Sequence, residues 1–318
     1  MRRKNLALLL VTATVLGGCF TGCNKNTVSQ QDVCRAEGMK NLQEGQYEEA
    51  AKLFQKALNE SVGEIGDEEY DLCFLKAKAL YMAGNTDGAM EVYDAIISYN
   101  DCPEAYYFRG NLYYALNEEE KALADYEKAI ALDDTDYDMY ISVYESLINH
   151  NQKTLAESYL NKALEAEGKK SCDDMHKGRI YYCLNDEKLA LEFLKKADEA
   201  GEKEASFYIA MIYMNASDDR ADEYFNKFLE TDLATSDRLF EVGVHAANLG
   251  KYDQAVRYLE AARSAEGSVD KQVLMKNLVY AYEHVGDYTS AKNLLKEYVE
   301  LYKEDDEAKR ELVFLNSR

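Results

Sequence analysis

The sequence predicts an all-α chain, a solenoid of about eight stacked helical hairpins closed by one further helix. Three observations carry this. Only 1 Pro occurs among 318 residues, with 17 Gly and 47% hydrophobic residues, so helix breakers are scarce. An alanine followed four residues later by a large apolar residue recurs about every 34 residues. A Gly or Asn stands five residues before seven of those eight alanines.

The first segment has a separate purpose. Arg2, Arg3 and Lys4 form a basic start, Leu6 to Leu16 is a largely apolar run of 11 residues, and small residues then precede a cysteine, the order of a secretory signal. Such a run is too short to span a bilayer. Leu16-Gly17-Gly18-Cys19 resembles the lipobox of bacterial lipoproteins, in which the cysteine thiol accepts diacylglycerol and becomes the new N-terminus. Phe20-Thr21-Gly22-Cys23 is a second, weaker match. The resemblance implies a signal peptide over residues 1–18, lipidation at Cys19 with Cys23 as the alternative, and a short tether over 19–30. Two acyl chains on one cysteine hold a protein at a membrane without a transmembrane helix. The expected location is extracytoplasmic, at a bacterial membrane.

Residues 31–304 carry the repeat. Its marker pairs are Ala50/Phe54, Ala89/Tyr93, Ala122/Tyr126, Ala156/Leu160, Ala190/Leu194, Ala221/Phe225, Ala255/Leu259 and Ala291/Leu295, with successive alanines 39, 33, 34, 34, 31, 34 and 36 apart. A spacing of four puts each pair on one helix face, where the alanine admits a neighbouring helix and the larger side chain fills the adjoining hole. Seven residues after the marker, Ala57, Ala129, Ala163, Ala197 and Ala262 keep that face small. Twelve residues before it, Gly38, Ala77, Gly110, Gly178 and Gly243 mark where the earlier helix of a hairpin can cross closely.

The turns give independent support. Gly45, Gly84, Asn117, Asn151, Asn185, Gly250 and Gly286 stand five residues before their markers, and only the sixth repeat departs. Gly and Asn enter the left-handed conformation at low cost, which is how a helix commonly ends before a reversal.

Small residue, aromatic, Gly turn, Ala, aromatic and Ala at this period resemble the tetratricopeptide repeat. The third repeat is the cleanest copy, with Tyr106, Gly110, Tyr113, Ala122, Tyr126 and Ala129 in register and Asp134 where the family often has Pro. The seventh, with Gly243, Gly250, Tyr252, Ala255 and Ala262, is close to it; the sixth, with Ala210 and Phe228 at usually small positions, departs most. The resemblance implies a right-handed α-solenoid whose first helices line a concave groove for extended peptides or partner helices. Carried onto this sequence, the family's groove positions are Phe74, Tyr81, Tyr107, Asn111, Tyr114, Ile141, Glu145, Ile148, Tyr182, Phe207, Met211, Met214 and Phe240, with Asp71, Asp138 and Asn149 beside them. Chaperone-binding members clamp a C-terminal carboxylate with Lys, Arg and Asn, whereas the corresponding positions here hold mainly aromatics and aliphatics. A face rich in Tyr, Phe and Met and edged by acids has the composition of a recognition surface.

Residues 305–318 complete the array. Asp305 to Phe314 reads as one more amphipathic helix, and solenoid ends need such a cap because the last repeat otherwise exposes a face meant for a neighbour.

Charge narrows the partner. The formal net charge is -22, and removal of Arg2, Arg3 and Lys4 with the leader takes it to -25. Such an excess repels phosphate backbones and anionic headgroups, so nucleic acid is excluded and membrane contact is expected through the lipid alone. A basic or amphipathic protein segment fits better.

Other constellations are weaker. Asp134, Asp136, Asp138 and Glu145 copy calcium-loop positions 1, 3, 5 and 12, but the required glycine is Met139 and the repeat register makes this a turn and a helix start. Cys172 and His176 share a helix face with no second ligand pair, so no metal is expected. The seven cysteines show no CxxC, and Cys172 and Cys183 would lie about 16 Å apart along one helix, too far to bond. His150, His176, His245 and His284 fall in different repeats with no triad, and no phosphate-binding Gly loop occurs. No enzyme activity and no cofactor are expected. The function these readings point to is a lipid-anchored scaffold that holds a peptide or helix of an envelope or secreted protein. The alternatives are a structural subunit of an envelope or pilus assembly complex and a sugar-binding surface lipoprotein.

Overall fold

The computed structural model describes residues 29–61, 65–165, 174–265, 267 and 269–317, so the leader, Cys19, Cys23 and Cys172 lie outside the described residues. Within the described residues there are seventeen helices and no strand. The chain divides between Lys169 and Lys170 into two compact units.

The first unit is a stack of four hairpins: α1 (Gln30–Gln43) with α2 (Tyr47–Asn59), α3 (Asp67–Met82) with α4 (Thr86–Tyr99), α5 (Pro103–Ala115) with α6 (Glu119–Leu132), and α7 (Tyr137–Asn149) with α8 (Lys153–Glu165). The second holds α9 (Asp174–Cys183) with α10 (Glu187–Glu199), α11 (Ala205–Asn215) with α12 (Arg220–Leu229), α13 (Ser236–Asn248) with α14 (Tyr252–Ser264), α15 (Lys271–Val285) with α16 (Tyr288–Leu301), and the closing helix α17 (Asp306–Asn316). No helix among the described residues is long and apolar enough to cross a membrane.

Every hairpin turns by the same device. Gly45, Gly84, Asn117, Asn151, Asn185, Gly250 and Gly286 all take positive φ, between 58° and 86°. The residue after each donates its amide to the carbonyl five residues back, as Asp186 does to Tyr181 and Asp287 to Tyr282, both at 2.9 Å. This bond closes the helix end by satisfying a carbonyl that has lost its helical partner. The sixth hairpin, without a Gly or Asn at the expected place, uses Ser217 at φ 54°, and Asp218 donates to Tyr213 at 2.9 Å. Its left-handed residue lies four residues before the marker Ala221 where the other seven lie five before theirs, which accounts for one residue of the short spacing. Side chains then start the next helix: Asn85, Asp186 and Asp287 accept from the amides of Gly88, Leu189 and Ser290.

The repeat residues form the crossing points. All eight marker alanines are at most 2% exposed, and their partners four residues on are at most 6% exposed, so both halves of the pair are core. A Cβ added at Gly38 would lie 2.7 Å from the Phe54 ring, at Gly110 2.7 Å from Tyr126, and at Gly178 2.6 Å from Leu194. Only the absent side chain lets these helices approach.

In the second unit one hydrophobic cluster runs from Met175 to Leu315. Helix α11 is buried from Ala205 to Met214 on every side except Tyr208, because its sequence is apolar all round. Polar staples link neighbouring hairpins at the surface. Examples are Arg35 with Asp71, Lys162 Nζ with Glu127 at 2.9 Å, and Lys203 Nζ with Asp232 at 2.8 Å. Each is exposed and contributes on the order of 0–1 kcal/mol, so the apolar stack carries the stability. At the end of the chain Asp305 accepts from the Ala308 amide (3.1 Å), Tyr298 Oη (2.7 Å) and Lys276 Nζ (2.7 Å). That one carboxylate ties α15, α16 and α17 together.

Candidate functional site

The groove residues expected from the repeat divide by burial. Asn111, Tyr114, Ile141, Phe207, Met211 and Met214 are buried, between 0% and 9% exposed. Phe74, Tyr81, Tyr107, Ile148, Tyr182 and Phe240 are half-buried, and Glu145 is exposed. The buried six pack helix against helix and do not form an open surface. The physical reason is that consecutive first helices lie against one another, so the residue that points toward the groove in a single repeat meets the next repeat in the stack.

The first unit shows this clearly. Phe74 packs on Phe108 at 5.5 Å and on Tyr93 at 6.3 Å. Tyr114 lies between Tyr126 at 5.8 Å and His150 at 4.3 Å, stacked on the latter at 16°. Asn111 Oδ1 accepts from Tyr126 Oη at 2.5 Å and from Ser146 Oγ at 2.7 Å, a buried link between α5, α6 and α7. Tyr107 Oη donates to the Ser142 carbonyl at 3.3 Å, and burial raises its pKa. Asp71 is committed to Arg35. Asp136, of the calcium-loop look-alike, caps α7 by accepting from Met139 N at 3.1 Å. No group of three potential ligands that could hold a metal ion occurs among the described residues.

The second unit offers a more open arrangement on three successive first helices. Tyr182 of α9 stands edge-on to Tyr208 of α11, with centroids 5.3 Å apart at 66°. The Arg179 guanidinium lies 5.8 Å from the Tyr208 ring centroid. Arg238 of α13 pairs with Glu204 and lies 5.4 Å from the Phe207 ring centroid. One turn further along α13, Glu241 is open to solvent, yet desolvation raises its carboxyl pKa against the opposing charge of Arg238. The Glu241 charge contributes to holding the Tyr182 hydroxyl up at about 12, after the larger effect of burial. Tyr208 is raised further, chiefly by burial. Neither Tyr208 nor Glu241 is among the groove positions carried over from the repeat. Tyr208 has the aromatic signal, next to Phe207; Glu241 has none.

Residues 103–136 match a tetratricopeptide-repeat family model, and residues 41–112 match a second model of the same description. These two matches cover residues 41–136 and, with the eight hairpins and their shared turn among the described residues, support a tetratricopeptide-repeat protein. The fold is typically a non-catalytic scaffold for protein–protein interaction. The crystal structure of a tetratricopeptide repeat protein from Parabacteroides merdae ATCC 43184 is similar at 17% identity and a TM-score of 0.46, over 79% of this chain and 98% of that one. That of PilW, described as a widely conserved type IV pilus biogenesis factor, is similar at 19% identity and a TM-score of 0.38, over 63% and 94%. No curated protein sequence matches the chain.

Proposed function

We propose that this protein is a lipid-anchored scaffold on the outer side of a bacterial membrane, which holds a peptide segment or helix of an envelope or secreted protein on its first-helix face. The observation that carries the reading is the accessible pair Tyr182 and Tyr208, contributed by consecutive first helices and bordered by charged groups. Aromatic side chains half in and half out of the core give a ligand large contact area at low entropic cost. The anchoring half of the reading rests on Leu16-Gly17-Gly18-Cys19, and the partner's basic or amphipathic character on the net charge of -22.

Photo-crosslinking in native cells tests it. A benzophenone amino acid at position 208 is expected to give discrete adducts that mass spectrometry identifies as envelope or secreted polypeptides. The same probe at Tyr99, 60% exposed at the end of α4, is expected to give none of them. Identical adducts at both positions, or adducts with glycan alone, would overturn the groove. Labelling with an alkyne fatty acid is expected to be lost in the Cys19→Ala, Cys23→Ala double variant, and its retention would remove the anchor.

A further inference from the structure

The last hairpin of the second unit contributes to a cluster of three rings. Tyr280 and His284, one turn apart on α15, have centroids 4.0 Å apart, and Tyr252, from the start of α14, lies 4.4 Å from His284 and 6.0 Å from Tyr280. His284 and Tyr280 are exposed, Tyr280 to 47%, and Tyr252 is half-buried, so the cluster stands at the surface. One bond fixes the imidazole, with His284 Nδ1 2.8 Å from the Tyr280 carbonyl. A carbonyl only accepts, so Nδ1 carries the hydrogen and Nε2 of the neutral ring is left as an acceptor. Half-buried rings elsewhere take the chain's own cations: Arg109 and Lys121 over Tyr113, Lys177 and Lys196 over Phe193, and Arg179 over Tyr208. No Lys or Arg among the described residues lies over Tyr252 or Tyr280.

We propose that Tyr252, Tyr280 and His284 form a subsite for one arginine side chain of the bound polypeptide. The inference rests on the reading that this protein holds a polypeptide, and it adds a second place of contact and the residue taken there. The faces of tyrosine rings attract a cation, and the flat guanidinium of arginine stacks on a ring where the compact ammonium of lysine does not. One guanidinium N–H donates to His284 Nε2, and the aliphatic stem covers the exposed Tyr280. The formal charge of -22 favours a cation over an anion at this surface, as the chain's own ring–cation pairs do.

A random peptide array probed with the full-length protein in mild detergent tests this. Each retained peptide is remade with every Arg replaced in turn by citrulline, which keeps the shape and removes the charge, and by Lys. A chain of charge -22 attracts polycations everywhere, so the readout is the penalty at a single peptide position and its change between variants. Wild type is expected to show one Arg position at which citrulline weakens retention roughly fivefold and Lys weakens it less. In Tyr280→Leu that penalty should fall to the level of the other positions, with the melting temperature unchanged because the ring is exposed. His284→Phe keeps a ring and removes the acceptor, so it should retain the penalty for citrulline and lose the preference for Arg over Lys. Tyr99→Leu, in the first unit, should match wild type. If Tyr280→Leu keeps the full penalty, or His284→Phe keeps the Arg preference, the subsite is wrong and the polypeptide reading stands. If wild type retains no peptide, the polypeptide reading fails and the subsite with it.

Discussion

Gly243 and Leu259 touch so closely that a Cβ on the glycine would lie 2.6 Å from Leu259 Cγ and 3.2 Å from the Leu259 amide nitrogen. The backbone atom cannot swing aside as a side chain can. Helix propensity alone would favour Gly243→Ala by about 1 kcal/mol, but overpacking a fitted crossing costs about 1–3 kcal/mol. The variant is expected to be less stable than wild type by roughly 1 kcal/mol in urea unfolding. In a Leu259→Ala background, where the space is vacated, the same change should become neutral or stabilising. A gain in the wild-type background would mean that the helices separate freely at this point.

Ser217 occupies a backbone conformation that seven other turns give to Gly or Asn. A left-handed φ costs an L-residue about 1–2 kcal/mol, and glycine avoids most of it. Ser217→Gly is therefore expected to raise stability by roughly 0.5–1 kcal/mol, seen as a higher melting temperature. Gly250→Ala, at φ 74° with nothing within 4 Å of the added Cβ, should do the reverse, because conformation and not space is at issue there.

These two sites show what was legible in the sequence. The turns at Gly45 to Gly286 could be read because a left-handed residue is a local demand that Gly and Asn satisfy visibly. Ser217 was missed because serine carries no such preference and its marker comes one residue early. The first-helix face was legible as a set of positions, but not as a surface. Whether Phe207, Met211 and Met214 meet solvent depends on how closely the neighbouring hairpins pack, and α11, apolar on all sides, is buried on nearly all of them. The contact of Tyr182 with Tyr208 joins consecutive first helices across 26 positions, a separation that no local pattern encodes.

Tyr114 illustrates the same limit and gives a prediction of opposite signs. Its ring is stacked on His150 and packed against Tyr126, and it is 7% exposed, so Tyr114→Ala is expected to cost about 3 kcal/mol. The variant therefore reports on folding and cannot serve as a clean binding variant. The Tyr114 hydroxyl is buried without a hydrogen-bond partner. Tyr114→Phe removes that unmet group while keeping the stack, and should leave stability unchanged or raise it by up to about 1–2 kcal/mol. A loss in the phenylalanine variant would mean that the hydroxyl is bonded in solution.

Glu69 makes the start of α3 sensitive to acid. Its carboxylate accepts from Ser61 Oγ, from the Gly66 amide at 2.9 Å and from Gln31 Nε2 at 3.3 Å, joining α1, the loop and α3. The Ser61 bond first, then the Gly66 amide, lower its pKa from 4.5 to about 2, against a smaller opposing effect of burial. Because the folded value is the lower one, the unfolded chain binds the proton more readily. The contribution is complete above about pH 4.5, declines as pH falls below that, and is gone once the pH has dropped through about 2. Glu69→Gln keeps the shape and removes the charge, so wild type should be the more stable protein at pH 7. The gap between the two should stay level down to about pH 4.5 and narrow steadily below it. Urea unfolding of both proteins across that range measures the gap directly. A gap that stays constant to pH 3 would show that the carboxylate is solvated and that α3 starts without its help.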